Sequence, residues 1–194
     1  MVIELSDQTL FKVKNRLPIG EKVHLEIGNE IQDYCNLVKR IKINLLPVAT
    51  NEKYMFIKFP HHEVPSSAST TFYEIQLLGY IPIIVNAEVN SDLRSNPNKL
   101  YTLVAKGALV QIDEASLIGK KGKVIRKFVN KLCKHNLVHF VSSDEVFEED
   151  HFFSEITHRY LRKKFSHEYL NYLLDNAKHV RNGTFFHAIK PIKF

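Results

Sequence analysis

The chain has 194 residues, 44% of them hydrophobic and 25% charged, a length that suits one domain able to bury its own core. No apolar run is long enough to cross a bilayer and the first residues do not form a signal peptide, so the sequence predicts a cytoplasmic protein without membrane insertion. The net charge of +6 permits nucleic acid, acidic peptides or anionic lipid as partners but requires none of them.

Strands and helices alternate along the chain, which predicts a mainly parallel sheet or barrel with helices between its strands. Strands are expected at the apolar or alternating stretches 23–27, 54–59, 80–85, 107–114 and 137–144. Helices are expected where apolar residues recur at helical spacing, over residues 5–17, 66–78, 97–105, 120–135, 155–165 and 167–180. The serine- and threonine-rich start of the second helix, and Ser95 or Asn96 before the third, are predicted helix caps.

Polar side chains follow the predicted strands where each strand ends, which is the functional edge of such a fold. The central strand is followed by Asn86, Glu88 and Asn90, and the loop after the preceding strand carries His61 and His62. Because neighbouring side chains on an extended chain point in opposite directions, we expect at most one of these histidines to face a given site. Carboxylates and imidazoles are ligands for hard or borderline divalent ions. The candidate ligands are Glu30, Glu88, Asp113, Glu114, Asp144, His61 and His62.

Other catalytic chemistries are poorly supported by the sequence. Residues 119–123 lack the frame and the terminal serine or threonine of a phosphate loop, and there is no Gly-x-Ser-x-Gly nucleophile elbow. Cys35 and Cys133 lie far apart and form no metal-type pair, so both are expected to be reduced core residues. His139 lies within an apolar strand, which indicates a core histidine.

Basic residues concentrate in three parts of the chain, at residues 39–42, 119–134 and 159–164. Aromatic residues for base stacking are sparse among them, so we interpret these basic clusters as solvated helix faces. A nucleic-acid-binding module that uses residues 120–134 is a second alternative function.

Three stretches carry a family resemblance: Phe-Pro-His-His-Glu-Val-Pro at 59–65, Glu-Ile-Gln-Leu-Leu-Gly-Tyr-Ile-Pro at 74–82, and Leu-Val-His-Phe-Val-Ser-Ser-Asp at 137–144. With shorter matches at 116–119 and 175–177, they resemble the metal-dependent protein-tyrosine phosphatases of the PHP (polymerase and histidinol phosphatase) superfamily, which are encoded in bacterial capsule and exopolysaccharide clusters. The resemblance runs from about residue 23 to residue 182. It implies a single PHP-like domain over residues 1–194 with an α/β fold, an incomplete, distorted (β/α) barrel lacking its first strands.

The resemblance also implies a cluster of divalent, manganese-like ions at the strand ends. This chain keeps Glu30 and Asp144 at positions that bind metal in the family. Asn86 stands where the family has a histidine, and Val89 stands where a phosphate-binding arginine follows the glutamate that is Glu88 here.

Other family positions with metal-binding or phosphate-binding side chains are also replaced in this chain. Ser66 stands where close relatives carry another arginine, Val146 replaces the last histidine, and the family's Asp-x-His-x-His strand is expected to be missing. Without these groups, metal ions and phosphoryl oxygens lose their partners. We therefore expect a degenerate protein-tyrosine phosphatase homologue of capsular or exopolysaccharide biosynthesis, with no catalytic residues and no bound cofactor, that acts by binding. Its expected partners are a bacterial tyrosine kinase or another polysaccharide-cluster protein, and a second copy of the chain.

The first alternative is an active manganese-dependent phosphotyrosine phosphatase or phosphoesterase with a rebuilt site. It would use Glu30, Glu88, Asp144 and one of His61 and His62, or ligands that a partner chain supplies.

Overall fold

The structure, a computed structural model, describes residues 53–143 and 152–194. The predicted helix at 5–17, the predicted strand at 23–27, and the residues Glu30, Cys35 and Asp144 lie outside these ranges.

Four strands form one parallel sheet in the order in which they occur along the chain. They are β1 (Tyr54–Ile57), β2 (Ile81–Val85), β3 (Leu109–Asp113) and β4 (Phe140–Ser142). The described helices are α1 (Ala68–Leu77), a 3₁₀ turn (Ala87–Val89), α2 (Ser91–Ser95), α3 (Pro97–Ala105), α4 (Glu114–Ile118), α5 (Lys123–Lys134), α6 (Glu155–Lys164) and α7 (His167–Arg181). Helices connect the successive parallel strands, so the predicted α/β fold with a parallel sheet is confirmed.

The strands are buried on both faces, as parallel strands between two packed layers usually are. One face packs against the helices through residues such as Ile57, Ile84 and Ile112, which have no exposed surface. Burying a side chain of this size is worth roughly 1.5–3 kcal/mol. The opposite face carries a second buried cluster, made of Tyr54, Phe56, Ile83, Val85, Leu109 and Phe140.

The chain that follows α7 packs against this second face. The Phe186 ring lies 6.5 Å from the Tyr54 ring and meets the Phe140 ring edge-on at 5.8 Å. The Tyr54 hydroxyl donates a hydrogen bond to the Thr184 carbonyl at 2.7 Å. Further on, the Phe194 ring stacks on His135 with centroids 4.1 Å apart. The C-terminal residues are therefore part of the packed domain.

The helix caps differ from those that the sequence predicts. Ser67 before α1 and Asn96 before α3 make no side-chain hydrogen bond to the helix that follows. The side chains that accept hydrogen bonds from first-turn amides are those of Asn90, Asp113, Ser154 and Ser166. Two of these cap α2 and α4, which the sequence does not predict because five residues are too few to show a helical period.

Cys133 and His139 both lie in the core, as the sequence predicts. Cys133 is a free thiol on α5, and burial raises its pKa to about 12. His139 precedes β4, its Nδ1 accepts a hydrogen bond from Val110 N at 3.0 Å, and burial lowers its pKa to about 3. The imidazole is therefore neutral at physiological pH.

The described helices are short. The last of them, α7, has 15 residues. No helix in the described ranges combines the length and the apolar character that a membrane crossing requires.

Candidate functional site at the strand ends

The carboxyl ends of the parallel strands bring separate loops to one edge of the sheet. This strand-end edge carries the loop 58–66 after β1, residues 86–90 after β2, Asp113 and Glu114 at the end of β3, and Ser143 after β4. Several residues that the sequence predicts for a site lie on these segments. The edge is therefore the candidate functional site.

Asn90 fastens the loop after β1 to the start of α2. Its side chain is 2% exposed, and its Oδ1 accepts a hydrogen bond from Leu93 N at 2.9 Å. Its Nδ2 donates to the carbonyls of Pro60 at 2.5 Å and Glu63 at 3.1 Å. One buried amide thus satisfies a helix amide and two loop carbonyls, which fixes the position of the loop between them.

The residues after Asn90 add contacts to the same loop. Ser91 N donates to the His61 carbonyl at 2.8 Å, and Asp92 Oδ2 accepts from Val64 N at 3.0 Å. Asp92 also pairs with Lys99 at 2.7 Å. The hydrogen bond from Lys99, and next that from the Val64 amide, lower the pKa of the Asp92 carboxyl. The loop after β1 is therefore held to α2 at several points.

His61 and His62 project from this fastened loop and are both exposed. They lie in a turn rather than on an extended chain, so the reasoning that sends them in opposite directions does not apply. Their ring centroids are 6.4 Å apart, and His62 Nδ1 lies 3.2 Å from Ser91 Oγ. The two imidazoles remain accessible to a ligand at the rim of the edge.

Glu88 lies behind the edge rather than on it. Its side chain has no exposed surface, Oε1 accepts a hydrogen bond from Asp113 N at 3.0 Å, and Oε2 has no hydrogen-bond partner. Burial raises the pKa of this carboxyl, while the nearby Ser116 hydroxyl and the Asp113 amide lower it by less. The Ser116 hydroxyl does not reach ordinary hydrogen-bond geometry. Glu88 is therefore closed off from solvent, and the Asp113 amide holds one of its two carboxyl oxygens.

Asp113 is engaged at the end of β3. Its Oδ1 accepts hydrogen bonds from Ala115 N at 2.5 Å and Ser116 N at 3.3 Å, which caps α4. Its Oδ2 pairs with Lys121 Nζ at 2.7 Å, and only 5% of the residue is exposed. Both oxygens thus serve the local fold.

Glu114 holds the start of α6. Its Oε1 accepts hydrogen bonds from Ser154 N at 2.9 Å, from the Ser154 hydroxyl, and from Thr157 Oγ1 at 2.7 Å. Burial raises the pKa of Glu114, but the hydrogen bonds from Ser154, Thr157 and Ser143 outweigh it, so the pKa is lowered. This carboxylate is ionised and engaged, and it joins two helices rather than a ligand.

Asn86 and Gln111 place neutral amides at the edge. Asn86 adopts a left-handed backbone with φ of 52°, and its N–H donates to the Gln111 carbonyl at 2.9 Å. Asn86 Oδ1 and Gln111 Nε2 are buried without hydrogen-bond partners. An amide carries no net charge, so neither side chain brings the negative charge with which a carboxylate binds a divalent ion.

Arg94 is a cation near the edge that sequence reasoning does not single out. It lies on α2, is half-buried, and its Nη1 donates to the Glu88 carbonyl at 3.0 Å. The sequence signal that could have indicated Arg94 is its position in the short segment that follows the end of β2.

The described side chains do not fit the metal cluster that the resemblance implies. Glu88, Asp113 and Glu114 are engaged or buried, and within residues 53–143 and 152–194 no group of three or more histidine, cysteine or acidic side chains could hold a metal ion. Glu30 and Asp144 fall outside those ranges, and their role as metal-binding positions stays a prediction.

Comparison with known proteins identifies the family. The family described as CpsB/CapC, capsular polysaccharide synthesis, matches residues 4–182. The tyrosine-protein phosphatase YwqE of Bacillus subtilis is 37% identical over 184 residues, which make up 92% of this chain and 72% of that relative. The putative tyrosine-protein phosphatase CapC of Staphylococcus aureus is 38% identical over 136 residues, which make up 70% of this chain and 53% of that relative.

A solved structure agrees with these matches. It is described as that of YwqE from Bacillus subtilis and CpsB from Streptococcus pneumoniae, metal-dependent tyrosine phosphatases. It is 33% identical, has a TM-score of 0.75, and covers 90% of this chain and 68% of that one. The resemblance to PHP-type tyrosine phosphatases is therefore confirmed, and the chain belongs to the CpsB/CapC family of capsular polysaccharide synthesis.

Proposed function

We propose that this protein is a tyrosine phosphatase homologue of capsule synthesis that has lost hydrolysis and acts by binding a partner. The observation that carries the proposal is the engagement of three acids at the strand ends. Glu88 is buried beneath the edge, Asp113 caps α4 and pairs with Lys121, and Glu114 fastens α6. Asp113 and Glu114 thus serve the fold, and Glu88, whose Oε2 has no hydrogen-bond partner, has no exposed surface with which to meet an ion or a water molecule at the edge.

Two replacements in the sequence support the same proposal. Asn86 occupies the position of a family histidine, and Val89 that of a family arginine. Hydrolysis of a phosphate ester requires positive charge against the phosphoryl oxygens in the transition state. An amide and an aliphatic side chain supply none at these two positions, so we expect that a phosphotyrosine bound there is not cleaved.

The partner that fits the family is a phosphotyrosine-bearing protein of the capsule machinery, such as a tyrosine kinase. The curated relatives are named tyrosine phosphatases, so their active sites accept phosphotyrosine. The location we propose is the cytoplasm, and we expect the chain to self-associate. Light scattering at high protein concentration checks the self-association, and a strictly monomeric species would contradict it.

The alternative is an active metal-dependent phosphatase, and it is favoured by the description of the solved relative as metal-dependent. In this chain such a site would draw on Glu30, Asp144 and one of the exposed histidines, His61 or His62. Glu88 is a poor candidate because it has no exposed surface and one of its oxygens accepts a hydrogen bond from Asp113 N.

The deciding experiment measures hydrolysis of a phosphotyrosyl peptide by the purified chain with and without manganese. Asp144→Ala removes the predicted metal-binding position, and Asp175→Ala, an exposed acid on α7, is the matched control. The proposal expects equal, background turnover in all three proteins. Manganese-dependent turnover that Asp144→Ala abolishes and Asp175→Ala keeps would replace the proposal with the active alternative.

Binding is measured separately, so that a failure of one assay does not decide the other. Fluorescence anisotropy with the same peptide, phosphorylated and unphosphorylated, reports whether the chain retains a phosphotyrosine site. Preferential binding of the phosphorylated form without turnover is the expected result. Equal affinity for both forms would contradict the proposed recognition of phosphotyrosine.

A further inference from the structure

Helices α5 and α6 form a strongly basic surface on the side of the domain that faces solvent. They carry nine basic side chains, five on α5 and four on α6, against the single acid Glu155. All nine are exposed. The α5–α6 basic surface consists of Lys123, Arg126, Lys127, Lys131, Lys134, Arg159, Arg162, Lys163 and Lys164.

Contacts between the two helices make the surface continuous. The Tyr160 hydroxyl on α6 donates to Asn130 Oδ1 on α5 at 2.8 Å. The Arg126 guanidinium lies 5.0 Å from the centre of the Tyr160 ring. Since Tyr160 faces α5, Lys163 and Lys164, three and four positions further along α6, lie on the side of α6 that is turned towards α5.

The outer face of α5 is a straight row of lysines. Phe128, Val129, Leu132 and Cys133 are its buried residues, so Lys123, Lys127 and Lys134 lie on the opposite face. At about 1.5 Å per residue, the row is about 16 Å long. No cation of the surface forms an ion pair within the described part of the chain. The charge of the row is therefore presented to solvent.

We propose that the α5–α6 basic surface docks the domain on the anionic phospholipid headgroups of a membrane. Six of the nine cations are lysines. A lysine ammonium is a compact, strongly hydrated point charge, whereas an arginine guanidinium can bind one phosphate through two hydrogen bonds. A broad surface of one charge sign suits a layer of anionic headgroups, and this attraction works within about a Debye length of the membrane. Ile156 and Val124, exposed in the first turns of the two helices, add apolar contact with the interface.

Two other polyanions fit the surface less well. Single-stranded nucleic acid binds by stacking its bases on open aromatic rings, and Tyr160 is already covered by Arg126. An acidic peptide takes its register from alternating charges or pockets, whereas the outer row of α5 offers lysines alone.

The test uses the full chain and vesicles made of equal parts phosphatidylglycerol and phosphatidylcholine, with pure phosphatidylcholine vesicles as the neutral reference. Sedimentation should show binding to the anionic vesicles alone, weakening as salt rises from about 0.1 M to about 1 M and the Debye length falls from about 10 Å to about 3 Å. Lys123→Glu/Lys127→Glu should weaken binding by at least about 25-fold, since each lysine contributes about fivefold.

The matched control is Lys53→Glu/Lys106→Glu, which changes the net charge equally at exposed lysines on other elements. It should keep the affinity within about threefold, because charges beyond a Debye length are screened. Circular dichroism confirms that both variants are folded. The proposal is overturned by three results: no preference for anionic vesicles, equal losses in the two variants, or tighter binding to polyglutamate or RNA than to the vesicles. None of these results depends on phosphotyrosine turnover.

Discussion

Replacing Asn90 by alanine should destabilise the domain and release the loop that carries His61 and His62. The change removes the acceptor of Leu93 N, worth about 1 kcal/mol as a helix cap. It also removes the donors to the Pro60 and Glu63 carbonyls, worth about 1 kcal/mol each. The expected loss is therefore about 3 kcal/mol in the free energy of unfolding, or about 6–12 °C in Tm for a chain of this size.

Urea denaturation should show this loss as a lower midpoint with an unchanged slope, since the surface exposed on unfolding stays the same. Asn96→Ala is the matched control, because Asn96 also precedes a helix but makes no side-chain cap bond. Asn90→Asp separates the two roles: it keeps the cap acceptor but loses both donors. Hydrogen exchange at Ser91 N, which donates to the His61 carbonyl, reports the loop itself. A loss for Asn90→Ala within about 0.5 kcal/mol of the Asn96→Ala value would refute this account of the loop.

Three further predictions concern buried titratable groups. Burial raises the pKa of Glu88, so the folded state holds its proton more tightly than the unfolded state, and stability is lost as pH rises above about 4.5. Above that pH, the free energy of unfolding of Glu88→Gln should rise relative to that of the wild type by up to about 1.4 kcal/mol per pH unit. A difference in melting temperature that does not change with pH would be the contrary result. Burial lowers the pKa of His139 to about 3, so the unfolded state takes up the proton first and stability falls as pH drops below about 6.5. His139→Asn keeps an acceptor for Val110 N and should reduce the fall of the urea midpoint between about pH 7 and pH 5. The same fall in the variant as in the wild type would exclude His139 as its cause. Glu114→Ala should lower the free energy of unfolding by about 2–4 kcal/mol, because it leaves the Ser154 and Thr157 donors without their acceptor. Hydrogen exchange should speed up in α6 more than in α3, whereas the exposed control Glu74→Ala should change little. An equal increase of exchange in both helices would contradict the role of Glu114.

The main elements of the fold follow from local patterns in the sequence. Residues 80–85 form an apolar run that contains the whole of β2. The predicted helix 97–105 is α3, because Pro97 suits a first turn and Gly107 ends it. The two five-residue helices α2 and α4 are not predicted, since they are too short for a helical period to show. Their caps, Asn90 and Asp113, depend on tertiary neighbours that a local pattern does not show.

The strand-end acids show where sequence reasoning stops. Their residue types and their place after strands are correct, but the direction of each side chain depends on distant partners. Glu88 turns inward to an amide 25 positions away, and Glu114 binds donors 40 and 43 positions away. Asn86 reverses the chain just before Glu88 through its left-handed backbone, which no spacing rule reveals.

The contact between Tyr54 and Thr184 sets an order for the folding of new chains. The two residues are 130 positions apart, so at about 5–20 residues per second the ribosome needs roughly 6–26 s to make the second after the first. During this interval the sheet face that contains Tyr54, Phe56 and Phe140 lacks the cover that Val180 and Phe186 give it. Sheet and helices can assemble early, but Val180 and Phe186 can cover this face only after Phe186 has been made. A nascent chain stalled before α7 ends would display the face to chaperones.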